Sequence, residues 1–390
     1  MRWLALIGAL LLWPALAVGQ SAQIEALLER QLSGDGRIIE IDGFSGALSS
    51  QAQMAQLRIS DDAGLWLQLD NVVLDWDRSA LLRGRLDVRA LTAERLQVLR
   101  APQSEPSAPS TQASGFRIPD LPIAIRVDRF ALELVEIGAP LLGTAVTARL
   151  EAEAALDDTG VSVKLLAERL DTQAGQVQLD LSFARADEVL GVTARINEPA
   201  GGVLAEALDL PGRPAVALNI LGSGPLDAFE ADIALATDGS ERLAGAVSIE
   251  ADGGGRRFGA DLAGDIRPLL QPDTQAVFGA DTRVAVSGLA AADGALDLQT
   301  LTVRTAQLQA DGSARLDADR APQQLDLDLL VQGQGPVRLP GSDVALGRAD
   351  LNLTFDAAEG PDWRVTGNVA ALDAGDIVAD AVTLDATGEI

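Results

Sequence analysis

From Arg37 onward, apolar and polar residues alternate with a period of two. Leu65, Leu67 and Leu69 alternate with Trp66, Gln68 and Asp70, and Val177, Leu179, Leu181 and Phe183 with Gln178, Asp180 and Ser182. Leu325, Leu327 and Leu329 are separated by Asp326 and Asp328, and Leu351, Leu353 and Phe355 by Asn352 and Thr354. Such alternation puts the apolar side chains on one face of a sheet and the polar ones on the other. The runs are about 8 residues long, which at ~3.3 Å per residue predicts a sheet near 26 Å wide.

Turn chemistry recurs between the runs, at Asp62-Ala63-Gly64, Asp158-Thr159-Gly160, Asp238-Gly239, Asp252-Gly253, Asp293-Gly294 and Asp311-Gly312. Asp-Gly suits a two-residue hairpin, because both central residues of a type I′ turn need positive φ. Hairpins make consecutive strands antiparallel. The chain therefore reads as mainly β, an elongated antiparallel meander with one apolar and one wet face. Curled into an open groove, it would turn its Leu/Val stripe into its own concavity, where an apolar occupant such as a lipid chain would be needed. A closed barrel and a filled sandwich are the competing architectures. Gly201–Leu208 and Ile266–Leu270 read as single helical turns at strand ends, and Ala80–Gly84 as a short helical crossover.

Three segments depart from this pattern. Residues 1–20 carry Arg2 and then an apolar run, Trp3 to Val18, broken by Pro14. As a helix its 16 residues span about 24 Å at ~1.5 Å each, short of the ~30 Å hydrocarbon core. With Ala15-Leu16-Ala17 in small-x-small spacing, it reads as a secretory signal peptide or an uncleaved anchor, with Leu4, Leu6, Ile7, Leu10, Leu11, Leu12 and Trp13 entering the membrane. Either way the body is exported, and it stays tethered to the membrane if the segment is retained. Ser21–Ser33 reads as an amphipathic helix with Ile24, Leu27, Leu28 and Leu32 on one face and Glu25, Glu29 and Arg30 on the other, either capping the first strands or lying on a membrane. Ala101–Ser114, with three prolines and four serines, reads as a linker or long loop. The domain plan is 1–20, then 21–100 with cap helix and first strands, 101–115 as linker, and 116–390 as the extended sheet.

Composition narrows the function. Acids outnumber bases 57 to 30, Lys164 is the sole lysine, and the formal charge is −27. That argues against nucleic acid as a partner, since tracking phosphates needs clustered Lys or Arg. The chain has no Cys and no His, which removes disulfides, thiolate and imidazole metal sites and the commonest general base. Asp61-Asp62 and Asp157-Asp158 are carboxylate pairs, but in turns, where solvated acids are ordinary. Gly253-Gly254-Gly255-Arg256-Arg257 lacks the Gly-Lys-Ser/Thr of a phosphate loop and reads as a flexible turn. Gly222-Ser223-Gly224 lacks the spacing of a nucleophile elbow, and no calcium-loop spacing occurs. The expectation is a protein that is not an enzyme and holds no cofactor or metal. Trp66, opposite in parity to its leucine neighbours, should point to the outer face or pack beneath the Ser21–Ser33 helix, and Trp76 follows in the next run.

Between Asp61 and Leu99 stand Gly64-Leu65-Trp66-Leu67, Val73-Leu74-Asp75-Trp76, Ala80-Leu81-Leu82-Arg83-Gly84-Arg85-Leu86 and Leu91-Thr92-Ala93-Glu94-Arg95-Leu96, preceded by Ile41-Asp42-Gly43-Phe44-Ser45-Gly46-Ala47-Leu48. This stretch resembles the N-terminal region of the TamB family, among the AsmA-like bridge proteins. The specific match covers roughly residues 21–100; beyond the linker only the alternating style agrees. The resemblance implies a periplasmic β-groove that supports outer-membrane protein assembly and moves phospholipid between membranes. Its lining would be Leu65, Leu67, Leu69, Leu86, Val88 and the alternating leucines, valines and phenylalanines named above, in contact with phospholipid acyl chains. The implied protein partner is a TamA-like outer-membrane protein, met through a C-terminal domain that this chain, ending in mid-strand pattern, does not include. The rival expectation is a structural tether or scaffold whose sheet edge templates strands of outer-membrane clients.

Overall fold

The computed structural model describes residues 29, 33, 37–46, 49–103, 123–171, 175–339 and 341–389. Their contacts gather those up to Arg185 into one unit and those from Ala186 into a second. The first holds β1 (Ile38–Asp42), β2 (Gln51–Asp61), β3 (Gly64–Asp77), β4 (Arg85–Val98), β5 (Ala124–Ile137), β6 (Val146–Leu156), β7 (Gly160–Arg169) and β8 (Gln176–Ala184). The second holds β9 (Val189–Glu198), β10 (Val216–Pro225), β11 (Ala228–Thr237), β12 (Ser240–Asp252), β13 (Gly255–Gly264), β14 (Thr282–Ala291), β15 (Leu296–Arg304), β16 (Leu308–Leu316), β17 (Pro322–Arg338), β18 (Ala345–Asp356), β19 (Asp362–Ala374) and β20 (Ile377–Glu389). Most strands exceed the expected 8 residues, up to 17 in β17, because bulges and glycines let pairing run through breaks in the alternation.

Within each unit the strands pair in chain order, β1 to β8 and β9 to β20. Among the described residues no pairing joins β1 to β8 or β9 to β20, so neither run closes on itself. The mainly β, open-sheet expectation holds. One pair breaks the antiparallel rule: β4 and β5 are parallel, with Leu86 opposite Ile125 and Val98 opposite Ile137. A parallel neighbour requires the chain to return to the starting end, and the connection after Val98 is long enough to do so. The Pro/Ser-rich stretch falls in sequence between these two strands, and residues 104–122 lie outside the described residues.

The hairpins mostly follow the turn chemistry. Asp238 (φ 49°) and Gly239 (φ 75°) form a two-residue loop between paired Thr237 and Ser240, both central residues at positive φ as type I′ demands. Two expected turns differ. Beyond β12 the loop is Gly253-Gly254, one residue later than expected, and Asp252 pairs with Gly255. Asp311-Gly312 is no turn: it lies inside β16, opposite Asp328 and Leu327. A side chain on Gly312 would collide with Leu327, so the glycine there serves close strand approach.

The helices are short. Helix α1 (Arg78–Leu81) is capped by Asp77, whose carboxylate accepts from the Ser79 amide at 2.8 Å. It joins antiparallel neighbours β3 and β4 and is therefore not a crossover. Arg83 and Arg85 pair with Asp77 and Asp87. Helix α2 (Ala139–Leu142) follows β5, α3 (Val203–Ala207) follows β9, and a 3₁₀ turn (Arg267–Leu269) and α4 (Gln275–Phe278) link β13 to β14. The helical turns expected at Gly201–Leu208 and Ile266–Leu270 are both present. Among the described residues no helix is long and apolar enough to cross a membrane. The N-terminal segment with Leu4, Leu6, Ile7, Leu10, Leu11, Leu12 and Trp13 lies outside them, as does most of Ser21–Ser33. Of the latter, Glu29 is helical, and the Ser33 amide donates to its carbonyl at 2.8 Å.

Candidate functional site

Strand registers decide which side chains share a face. In the second unit, Ala194, Ile220, Ile233, Gly245, Leu262 and Val284 stand in one line across β9 to β14. Val303, Ala310, Leu329, Leu351, Gly367 and Leu384 carry that line across β15 to β20. The adjacent line on the same face runs through Leu301, Gly312, Leu327, Leu353, Val365 and Ala386. No polar side chain interrupts either. One residue away, on the opposite face, Asp232, Asp261, Asp311, Asp328 and Asp385 occupy a single line interspersed with Ala, Thr and Asn. Arginines hold several of these acids, Arg283 to Asp261 at 2.9 Å, Arg304 to Asp311 at 2.7 Å and Arg364 to Asp385 at 2.6 Å. Those hydrogen bonds keep the three carboxyls below the usual range.

The residues expected to line a groove fall into these arrays. Leu325, Leu327 and Leu329 lie directly opposite Phe355, Leu353 and Leu351. In the first unit Val177, Leu179, Leu181 and Phe183 oppose Ala167, Leu165, Val163 and Val161. Leu67 and Leu69 oppose Ile59 and Leu57 on β2, and Val98 and Leu96 on β4. Leu86 and Val88 oppose Ile125 and Val127. Leu65 stands beyond a bulge, facing Ser60, and Trp66 is the extra residue that makes it. A bulge thus interrupts the alternation at Trp66, whose indole is half-buried, and most of the Ser21–Ser33 segment expected to cover it lies outside the described residues. Val88, Phe183 and Phe355 are buried; the other twelve expected lining residues are half-covered. Fully burying such a side chain is worth about 1.5–3 kcal/mol, so at the half-covered positions part of that stabilisation is unrealised.

Other members of the faces escape the pattern of large alternating residues. A line in the first unit runs Met54, Val72, Ala93, Leu132, Leu150, Ala167 and Val177. Leu69 and Val72, three apart, pack on the same buried cluster of Ala93, Leu132 and Val135. Asn71 between them has φ 53°, a left-handed residue that switches which parity faces the cluster. An Asn amid a β-branched and leucine-rich run was the available signal. Gly245, Gly312 and Gly367 also sit within the apolar lines, where a hydrophobicity pattern reads them as gaps.

The ends of the second unit differ. Its helical turns lie together at one end of the strands, where Ala205, Leu210 and Val216 form a buried cluster with Leu204, Leu235 and Leu269. Glu198 accepts from the Leu204 amide at 2.7 Å, and Thr282 and Thr305 donate to the carbonyls of Phe278 and Val277 at 2.9 and 2.6 Å. The other end carries hairpins, including Gly253-Gly254.

The carboxylate pairs have structural work. Asp61 is buried, not solvated as its turn position suggests. It accepts from Arg100 Nη1 at 2.8 Å and the amides of Gln103 and Ala63 at 2.7 and 2.9 Å, clamping the β2–β3 turn to the end of β4. The Arg100 hydrogen bond, foremost, holds its carboxyl well below the usual range. Asp157 is lowered by the Thr159 hydroxyl and amide that cap its turn. Carboxyls shifted in this direction stay ionised and have no proton to give near neutrality. Gly222-Ser223-Gly224 lies within β10. Among the described residues no three acidic side chains are gathered as a metal site. No protein-family model, curated protein or solved structure matches the chain.

Proposed function

We propose that the chain is a non-enzymatic envelope protein of the TamB and AsmA-like kind, its strands curled into an open groove that conducts phospholipid between inner and outer membranes. In this reading it works beside a TamA-like outer-membrane protein in outer-membrane protein assembly. In the same reading the N-terminal segment directs export and, where it is retained, holds the chain at the inner membrane, with the described body in the periplasm.

The observation that carries the reading is an uninterrupted apolar line across twelve strands with a second beside it across β15 to β20, most of their side chains left half-covered. An acyl chain laid there recovers ~0.8 kcal/mol per buried methylene, comparable with what it gives up on leaving a bilayer. Movement along such a face is nearly level in free energy, and no chemical step is required.

Native mass spectrometry of the exported chain tests this. Bound phospholipid is expected in the wild type and lost in Leu179→Asp and Leu327→Asp, while the far-ultraviolet strand signal persists. Undiminished lipid in both variants, or none in the wild type, overturns the reading. The strand-templating alternative draws on sheet edges, where unpaired backbone donors recruit a client strand. Photo-crosslinkers at Thr383 or Asp385 that capture client strands, with none captured at Leu327, would favour that alternative.

A further inference from the structure

The apolar face of the second unit is almost without charge. At the paired positions from β9 to β20, two charged residues fall on it, Glu198 and Arg256, while Arg242, the extra residue of the β11–β12 bulge, donates to Thr237 Oγ1 on the same face at 2.8 Å. Glu198 is committed to the amide of Leu204. Arg256 is not committed. It shares its face with Phe258, Ala260 and Leu262, and its cross-strand neighbours are Ala251 and Ala290. Most other arginines here hold an acid, and the next residue, Arg257, reaches Asp252 at 2.7 Å. Arg256, in a chain of net charge −27, has neither an ion pair nor a side-chain hydrogen bond among the described residues.

Its position along the strand is as specific as its face. Arg256 stands at the hairpin end of β13, beside Gly253-Gly254, whereas α3 and the 3₁₀ turn pack on the far end of the same face through Leu204, Leu210 and Leu269. Between Arg256 and Gly264 lie about 26 Å of strand at ~3.3 Å per residue, more than the ~15 Å depth of one leaflet of a ~30 Å core.

We infer that Arg256 anchors the anionic head of an acyl-chain amphiphile whose tail lies over Phe258, Ala260 and Leu262, pointing toward the helical end. The guanidinium offers a fork of donors matched to a phosphate or carboxylate, and the alanines around it leave that fork unopposed. The acidic outer face repels such a head, so the same charge distribution that excludes anions elsewhere directs them here. The inference rests on the groove reading above and adds to it a headgroup requirement.

Titration calorimetry of the full chain with two amphiphiles of one tail, palmitoyl lysophosphatidic acid and monopalmitoylglycerol, tests it below their micelle concentrations. Inorganic phosphate serves as the headgroup alone. The wild type should bind the phosphate-bearing amphiphile about tenfold more tightly than the glyceride, and inorganic phosphate not measurably. Arg256→Gln should erase that preference and leave glyceride affinity unchanged. Arg256→Lys should keep part of it, and Arg315→Gln, at an arginine of the opposite face with no ion pair among the described residues, should keep all of it. If both amphiphiles bind and the preference survives Arg256→Gln, the anchor is wrong and the groove stands. Binding of inorganic phosphate as tight as that of the amphiphile also overturns the anchor. If neither amphiphile binds the wild type, the groove and the anchor fall together.

Discussion

Trp363 stands directly opposite Gly388 across the β19–β20 pair, and its indole lies over the glycine, so that a Cβ there would be 2.5 Å from Cζ2 and 2.7 Å from Cε2. Phe258 bears the same relation to Gly288, its Cζ 2.9 Å from where a Cβ would stand. Glycine inside a strand is a weakness in isolation, yet here it lets a ring lie flat on the neighbouring backbone. Gly388→Val should therefore destabilise the chain by about 1–3 kcal/mol through displacement of the ring, despite the better strand propensity of valine. The urea midpoint should fall, and the emission of Trp363 should shift to the red. A variant as stable as the wild type, or more so, would show that strand propensity outweighs the ring contact.

The clamp between Asp61 and Arg100 gives a pH dependence of definite sign. Because the hydrogen bonds of Arg100, Gln103 and Ala63 lower the Asp61 carboxyl in the folded state, their stabilisation is complete above the unfolded value of ~3.9. It drains away as pH falls from there toward the folded value. Asp61→Asn should melt below the wild type by a constant margin from pH 7 to about 5, and the margin should narrow steadily below about pH 4. Other acids titrate equally in both proteins and cancel. A margin as wide at pH 2 as at pH 7 would exclude the clamp as the cause.

The strands around Val177, Leu325 and Leu351 were legible because period-two alternation survives intact there, and their cross-strand partners proved apolar in turn. Legibility ended where the backbone departs from the pleat. Trp66 sits in a bulge that no local period announces, and Leu69 and Val72 share a cluster only because Asn71 adopts φ 53°. The Asp311-Gly312 dipeptide signals a turn locally, yet the pairing of β16 with both neighbours overrides it, since the cross-strand bonds outnumber those a hairpin would make there. The parallel β4–β5 pair depends on contacts distant in sequence, which no local period encodes. Arg256 reads as part of a glycine-rich turn until the register shows which face it occupies.

The edge of β1 supplies the last prediction. In an antiparallel pair alternate residues turn their amides away from the partner strand, leaving a row of free donors that can recruit another chain. On β1 two such amides are met by side chains: Ile39 donates to Ser33 Oγ at 2.9 Å and Ile41 to Glu29 Oε1 at 2.8 Å. Both isoleucines are buried, so an amide left without a partner there costs about 1–3 kcal/mol. The pair Glu29→Ala and Ser33→Ala should speed hydrogen exchange at Ile39 and Ile41 and raise the sedimentation coefficient with concentration as free edges meet. Glu29→Gln keeps the acceptor oxygen while discarding the charge, so it should retain the protection of Ile41. That contrast separates hydrogen bonding from electrostatics. Protection unchanged in the double alanine variant would mean that something other than these two side chains seals the edge, whereas protection lost equally in Glu29→Gln would assign the seal to charge.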